Sequence, residues 1–240
     1  MSDSTPLQKK PLFPQLYGEG RYRFLLFSLL LLFFFYPFFD GFRFAPGILG
    51  ALFLGILLSA VAAVSANRKS VTGAIFLAFV AFGSYILSQV FDSLSLQATT
   101  MSAFGLFFAL ITVVILRHIL SVREVSSDII LGAICAYLVL GMVWTMAYSL
   151  IELLSPGSFL RGGGSITAGF AGERVPAVAS FIYYSFVTLT TLGYGDIIPN
   201  SSPAAALSSL EAVTGQLFLA ILIARFVGLH IAEAGSKKRE

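Results

Sequence analysis

The chain has 240 residues, of which 57% are hydrophobic and only 11% are charged. A soluble domain carries about 25% charged residues, so this composition excludes a soluble protein, and the high hydrophobicity excludes a disordered one. The net charge of +3 does not indicate nucleic-acid binding, because the basic residues lie at the ends of apolar segments and form no patch. The composition therefore predicts an integral membrane protein whose outer surface faces lipid.

The apolar segments predict six transmembrane helices and one shorter helix that enters the membrane without crossing it. In chain order, the predicted spans are 22–39, 44–66, 71–91, 101–120, 128–154 and 202–232. Each is close to or longer than the ~20 residues that cross a hydrocarbon core of ~30 Å. The shorter helix, 177–190, precedes the last span. The predicted fold class is an all-α membrane protein.

The positions of the basic residues predict the orientation of these spans. Of the 15 Lys and Arg residues, twelve lie before the first span, between spans two and three, between spans four and five, or toward the end of the last. The remaining connections hold only Arg43, Arg161 and Arg174. Because cytoplasmic connections are enriched in basic residues, both termini are predicted to be cytoplasmic. The compact loops and short tails are typical of a bacterial inner membrane protein.

The segment Tyr183–Pro199, YYSFVTLTTLGYGDIIP, contains irregular backbone at membrane depth. Such backbone is tolerated in a bilayer only where protein buries it or where it lines a watery path. Gly193 and Gly195 permit conformations that a Cβ atom disfavours, so a strand here can turn successive carbonyls to the same side. A ring of such strands makes cages of oxygen atoms that replace the hydration shell of a cation.

This segment resembles the selectivity filter of the potassium channel superfamily. The family pattern T-x-x-T-x-G-Y-G-D is matched by Thr188, Thr191, Gly193, Tyr194, Gly195 and Asp196. The resemblance is specific over Pro176–Ala232, and before that it rests on helix count and topology. It implies a re-entrant pore helix and filter between helices five and six. Since one filter strand cannot enclose an ion, it also implies a homotetramer around a central pore.

The resemblance also implies a role for each filter residue. The ligands of dehydrated K⁺ would be the Thr191 hydroxyl and the backbone carbonyls of Thr191, Leu192, Gly193 and Tyr194. Gly193 and Gly195 would permit the alternating backbone, Tyr194 would pack behind the filter, and Asp196 would lie at its outer mouth. Further support for the filter is expected from Thr188, Tyr183 and Tyr184. The two tyrosines form an aromatic cuff or serve as ordinary packing residues.

Two positions depart from the usual pattern of the family. Leu192 stands where valine or isoleucine is more usual, which changes the packing of the filter but not its carbonyl. Val187 occupies the position where some members place a glutamate that pairs with the filter aspartate, so that pair cannot form here.

The last span is predicted to line the inner part of the pore. Gly215 fits either a hinge or close helix packing. Helical steps of three and four residues predict a cavity and gate lined by Gln216, Leu219, Ala220, Ile223, Val227 and Ile231. For Glu211, a hydrogen bond behind the pore helix is favoured over contact with ions.

The first four helices lack the arginine array of a voltage sensor. Residues 70–116 contain no Lys or Arg, so we predict little intrinsic voltage dependence.

Six basic residues either bind anionic lipid headgroups or only set the topology: Arg21, Arg23, Arg68, Lys69, Arg117 and Arg123. The predicted divisions are a tail at 1–21, a four-helix domain at 22–123, a pore domain at 124–232 and a tail at 233–240. The outer connection within the pore domain, Ser155–Pro176, has six glycines and is predicted to be a mobile turret.

The predicted function is passive, potassium-selective conduction. Two alternatives remain open: a less selective cation channel, and a structural or regulatory membrane subunit that does not conduct. No nucleophile–base set, metal cluster or phosphate-binding loop indicates an enzyme. No cofactor other than the permeant K⁺ is predicted.

Overall fold

A computed structural model describes residues 20–35, 45–63, 68–91, 93–122, 125–166 and 178–237. These ranges contain seven α-helices and three short β-strands. The helices are α1 (Arg21–Phe35), α2 (Ala45–Ala63), α3 (Arg68–Ser88), α4 (Leu94–Ser121), α5 (Ser127–Leu154), α6 (Val178–Leu189) and α7 (Ser202–Lys237). The strands are β1 (Phe159–Arg161), β2 (Gly164–Ser165) and β3 (Ile197–Pro199).

Four of the described helices are long and apolar enough to cross a membrane, and they lie in α3, α4, α5 and α7. The prediction of a protein that crosses the membrane several times is therefore confirmed. The first two predicted spans appear as shorter apolar helices, Tyr22–Phe35 and Gly50–Ala63. Their predicted ends at residues 39, 44 and 66 lie outside the described residues.

Helix α4 begins at Leu94, earlier than the predicted start at Met101. The polar residues of its first turns fit within the helix, because the Thr99 and Thr100 hydroxyls donate to the carbonyls of Ser95 and Leu96 at 2.8 and 2.9 Å. Hydrogen bonds of this kind satisfy a threonine side chain without an outside partner.

The main core lies between the peripheral helices and the pore-forming ones. Helix α4 packs along both α3 and α5, and α1 lies against α2 and α5. Phe107 and Phe108 on α4 are fully buried in this core. Phe33 on α1 reaches Phe186 on α6, with the rings edge to face at 4.5 Å. The peripheral helices therefore contact the pore helix directly.

Three helix ends and the later part of α7 meet at one end of the bundle. The Gly20 amide donates to Asp128 at the start of α5 (3.1 Å). Arg225 on α7 donates through Nη2 to the carbonyls of Leu120 and Val122, at 2.6 and 2.8 Å. A cation at the carboxyl end of α4 satisfies carbonyls that the helix itself leaves unpaired.

The three strands form a small antiparallel sheet at the opposite end, in the order β2-β1-β3. Phe159 pairs with Pro199 and Arg161 with Ile197. The prediction of an all-α fold is confirmed for the helices, but this sheet is an addition to it. The prediction that the whole outer connection is mobile is wrong for its first part, because Phe159 is fully buried among aromatic side chains.

The buried carboxylate of Glu152 holds this first part of the outer connection in place. It accepts hydrogen bonds from the amides of Gly157 and Phe159, at 2.8 and 3.0 Å. The Ser165 hydroxyl donates to it at 3.3 Å. Glu152 therefore supplies acceptors to the amide of Gly157 in the turn and to the amide of Phe159 at the start of β1.

Replacing Glu152 with Ala is expected to destabilise the outer end of the protein. Each buried donor left without an acceptor costs about 1–3 kcal/mol, and for a chain of this size each kcal/mol lowers Tm by about 2–4 °C. Thermal unfolding of the purified protein measures the loss. Ser209→Ala serves as the control, because that hydroxyl is exposed and donates within its own helix. A Glu152→Ala protein as stable as the wild type would contradict the assigned role.

Candidate functional site

The filter strand is the segment of residues 191–195. It starts just after α6, where the backbone changes from a right-handed helix to a left-handed conformation. Thr191 has a φ of +58°, a left-handed conformation that ends a helix. The Thr191 amide donates to the carbonyl of Thr188 at 2.9 Å. The amides of Leu192 and Gly193 both donate to the carbonyl of Val187, at 2.9 and 3.2 Å. The start of the strand is therefore fixed to the end of the pore helix.

Positive φ angles alternate along the filter strand. They are +58° at Thr191, +60° at Gly193 and +74° at Gly195. The residues between them, Leu192 and Tyr194, do not have a positive φ. Alternating signs of φ allow successive carbonyls to face the same side of a strand. Among the described residues, no backbone hydrogen bond outside helices and strands ends on a carbonyl of residues 191–195. These oxygens therefore remain available to another ligand.

The structure brings three of the predicted filter residues together. The rings of Tyr183 and Tyr194 stack, with centroids 6.5 Å apart and planes 6° from parallel. The Tyr183 hydroxyl donates to Asp196 at 3.1 Å. Tyr183 therefore contacts both Tyr194 and Asp196, the residue after the last filter glycine.

Tyr184, the next residue, packs inside the protein. Its ring is buried against Tyr148 and Phe159, and its hydroxyl pairs with that of Ser208 at 2.7 Å. Neighbouring residues in a helix point about 100° apart, which allows Tyr183 to contact the filter while Tyr184 packs in the core. Of the two readings for these tyrosines, contact with the filter describes Tyr183, and packing describes Tyr184.

The predicted cavity residues lie on one exposed face of α7. All six are exposed in the single chain: Gln216, Leu219, Ala220, Ile223, Val227 and Ile231. The amide of Gln216 lies 3.5 Å from the Thr191 hydroxyl, directly below the filter strand. Phe218 and Leu222 on the other side of α7 are buried, and the Phe218 ring packs against Tyr137 on α5.

Gly215 packs closely against the end of the pore helix. A Cβ atom on Gly215 would lie 2.3 Å from the Leu189 carbonyl oxygen and 3.0 Å from Leu189 Cδ1. The same carbonyl accepts a hydrogen bond from Tyr137 at 3.3 Å. The close-packing interpretation of Gly215 therefore has a direct structural basis, while a hinge at this position stays a prediction.

Glu211 lies behind the pore helix and is fully buried. Its carboxylate accepts hydrogen bonds from the hydroxyls of Tyr148 and Ser185. The prediction of a hydrogen bond behind the pore helix is confirmed. The two partners could not be predicted, because a serine and a tyrosine within apolar helices carry no pattern that pairs them with a distant glutamate.

Comparison with known proteins agrees with this geometry. Residues 132–230 match the model of a family described as "Ion channel". Over 55 residues the chain is 34% identical to "Two-pore potassium channel 1" of Arabidopsis thaliana, which covers 23% of this chain and 15% of that protein. Over 58 residues it is 38% identical to "Two-pore potassium channel 4" of the same plant, covering 24% and 20%. The chain therefore matches less than a quarter of the length of either relative. No solved structure matches it.

The family match covers α6, the filter strand and most of α5 and α7. It agrees with the prediction of a channel pore in this part of the chain. Residues 132–230 are therefore similar to an ion channel domain, and the chain shows distant similarity to two-pore potassium channels.

Proposed function

We propose that four copies of this chain form a channel that conducts K⁺ passively and selectively. The observation that carries this proposal is the alternation of positive φ at Thr191, Gly193 and Gly195, with carbonyls that accept no backbone hydrogen bond from the described part of the chain. A stack of such oxygens suits a cation that sheds its water. The resemblance of the TLGYG sequence to potassium channel filters and the distant similarity to two-pore potassium channels both support K⁺ as that cation.

A tetramer is proposed because the filter strand of a single chain cannot enclose an ion. The strand lies on the surface, where the side chains of Leu192 and Tyr194 are 55% and 66% exposed. Unpaired backbone at membrane depth must be covered by protein or line a watery path. Four strands around an axis meet both needs, since their carbonyls face the ion and their side chains pack between subunits.

The exposed face of α7 supports a proposed path below the filter. Gln216 places a polar group beside Thr191, and the carboxyl end of α6 contributes partial negative charge that favours a cation in the cavity. Farther along α7, the exposed side chains of Ile223, Val227 and Ile231 are apolar. A ring of them forms a constriction that stops ions when it loses water.

The proposed topology has six spans with the basic end of the bundle in the cytoplasm, as in a bacterial inner membrane. Arg23 and Arg117 lie exposed at that end and can contact anionic headgroups. The side chains of the other four proposed lipid-binding residues lie outside the described residues. With no Lys or Arg in residues 70–116, little intrinsic voltage dependence is proposed.

Cation flux into liposomes that contain the purified protein tests this function. We expect K⁺ to be preferred over Na⁺ by about tenfold or more, which corresponds to ~1.4 kcal/mol of discrimination. The preference is read from the reversal potential under opposed K⁺ and Na⁺ gradients, and a shallow dependence of current on voltage is expected in the same recordings. Equal permeation of both ions would favour the less selective cation channel. Absence of flux would favour the non-conducting subunit.

A further inference from the structure

The carboxylate of Glu211 lies in the outer half of α7, inside the ion channel domain. Its side chain is fully buried in the single chain. An acidic side chain in a membrane-spanning segment is costly unless hydrogen bonds compensate for the lost water. The position of Glu211 therefore needs an explanation beyond the packing of one helix.

The hydrogen bonds of Glu211 join all three helices that surround the filter strand. Ser185 on α6 lies 2.6 Å from one carboxylate oxygen, and Tyr148 on α5 donates to the other. The Ser185 hydroxyl also lies 2.8 Å from the carbonyl of Gly141 on α5. The inner, outer and pore helices are thus connected through one buried cluster, which consists of Glu211, Tyr148, Ser185 and Gly141.

The cluster is connected to the filter through the last turn of α6. Ser185 lies two residues before Val187, whose carbonyl accepts hydrogen bonds from the amides of both Leu192 and Gly193. A rotation or shift of α6 moves that carbonyl and with it the two filter residues. The hydrogen bond at Ser185 therefore restrains the backbone on which the filter is built.

A second contact repeats the first one turn farther along both helices. Gly215 follows Glu211 by one turn of α7, and Leu189 follows Ser185 by one turn of α6. The Leu189 carbonyl lies so close to Gly215 that no side chain fits between them. Two contacts one turn apart fix the rotation of α6 against α7, which one contact alone does not.

We propose that Glu211 is a positioning residue for the filter. It holds the pore helix in the orientation that keeps the filter carbonyls at the spacing K⁺ requires, and it does so without touching the ion. This inference rests on the proposed function.

Variants of the cluster separate positioning from simple stabilisation. Glu211→Leu keeps much of the volume but accepts no hydrogen bond. Glu211→Gln keeps one acceptor for Tyr148 and gives the oxygen of Ser185 a donor, while the Ser185 proton serves Gly141. Ser185→Ala removes the link to α6 alone. Tyr148→Phe leaves that link intact and is the matched control.

The measurement is the K⁺ over Na⁺ permeability ratio from reversal potentials, taken on protein that reconstitutes as the wild type does. We expect Glu211→Leu and Ser185→Ala to lower the ratio about tenfold, equivalent to ~1.4 kcal/mol. Glu211→Gln should keep most of it, and Tyr148→Phe should change it less than Ser185→Ala. A wild-type ratio in Glu211→Leu would overturn the proposal. If that variant does not reconstitute, a wild-type ratio in Ser185→Ala would do the same.

Hydrogen–deuterium exchange at residues 187–193 gives a readout that does not need conduction. The amides of Leu192 and Gly193 should exchange faster in Glu211→Leu than in the wild type, because their acceptor on α6 is less firmly held. Equal exchange rates would overturn the inference even if the wild-type chain conducts no cation. A wild type that does not conduct but shows faster exchange in the variant would contradict the proposed function and leave the positioning of the strand by Glu211 supported.

Discussion

Gly193→Ala is expected to abolish potassium conduction in a protein that still folds. Gly193 has a φ of +60° and a Cβ atom there would meet nothing within 4 Å. The obstacle is therefore the backbone conformation, which costs an L-residue roughly 1–2 kcal/mol. In an assembly this cost occurs in every subunit at the same level of the filter. An alanine that relaxes to negative φ breaks the alternation and turns carbonyls away from the ion.

Gly162→Ala provides a matched control for this substitution. Gly162 has a φ of +57° and equally open surroundings, but it lies in the turn between β1 and β2. Both variants should lose similar stability in thermal unfolding, while only Gly193→Ala should lose K⁺ flux in liposomes. Normal selective flux through Gly193→Ala would show that conduction does not depend on left-handed backbone at this position.

Gly215→Ala is expected to destabilise the protein and to disturb the filter together. The new methyl group would lie 2.3 Å from the Leu189 carbonyl oxygen, and backbone atoms on both sides leave little room to adjust. Overpacking of this kind costs about 1–3 kcal/mol. We expect a lower Tm and a reduced K⁺ over Na⁺ permeability ratio, because α6 must move away from α7.

Gly228→Ala is the control on the same helix, since a Cβ atom there would meet nothing within 4 Å. Alanine is favoured over glycine inside a helix by about 0.8–1.0 kcal/mol, so Tm should stay the same or rise slightly. The comparison also separates the two interpretations of Gly215. A residue that serves only as a hinge would change how often the channel opens, with an unchanged Tm and permeability ratio.

The four long apolar helices and the unusual backbone of residues 191–195 could be predicted because each depends on local sequence. Long apolar runs predict helices in a bilayer, and two glycines spaced by one residue predict unusual backbone. Glu211 could also be placed, since a carboxyl group in a membrane segment must find hydrogen bonds. These features require no knowledge of which distant residues meet.

The features that could not be predicted depend on contacts between distant parts of the chain. The pairing of β1 with β3 joins residues on either side of the pore helix, and three-residue strands in a glycine-rich stretch carry no alternating pattern. Three further features depend on how the helices are rotated against one another. They are the hydrogen bonds from amides to Glu152, the orientation of Tyr184 and the partners of Glu211. Periodicity in one helix does not determine that rotation.

The predicted division at residue 123 separates a peripheral unit from a pore unit, yet Arg225 connects the two across it. Its acceptors, the carbonyls of Leu120 and Val122, are backbone atoms that any amino acid would supply. The connection therefore depends on where α4 ends and not on its side chains. The residues at the end of α4 can therefore change without loss of this connection, as long as the helix ends at the same level. A chimera that keeps this pore unit must in turn end its foreign helix at the same level.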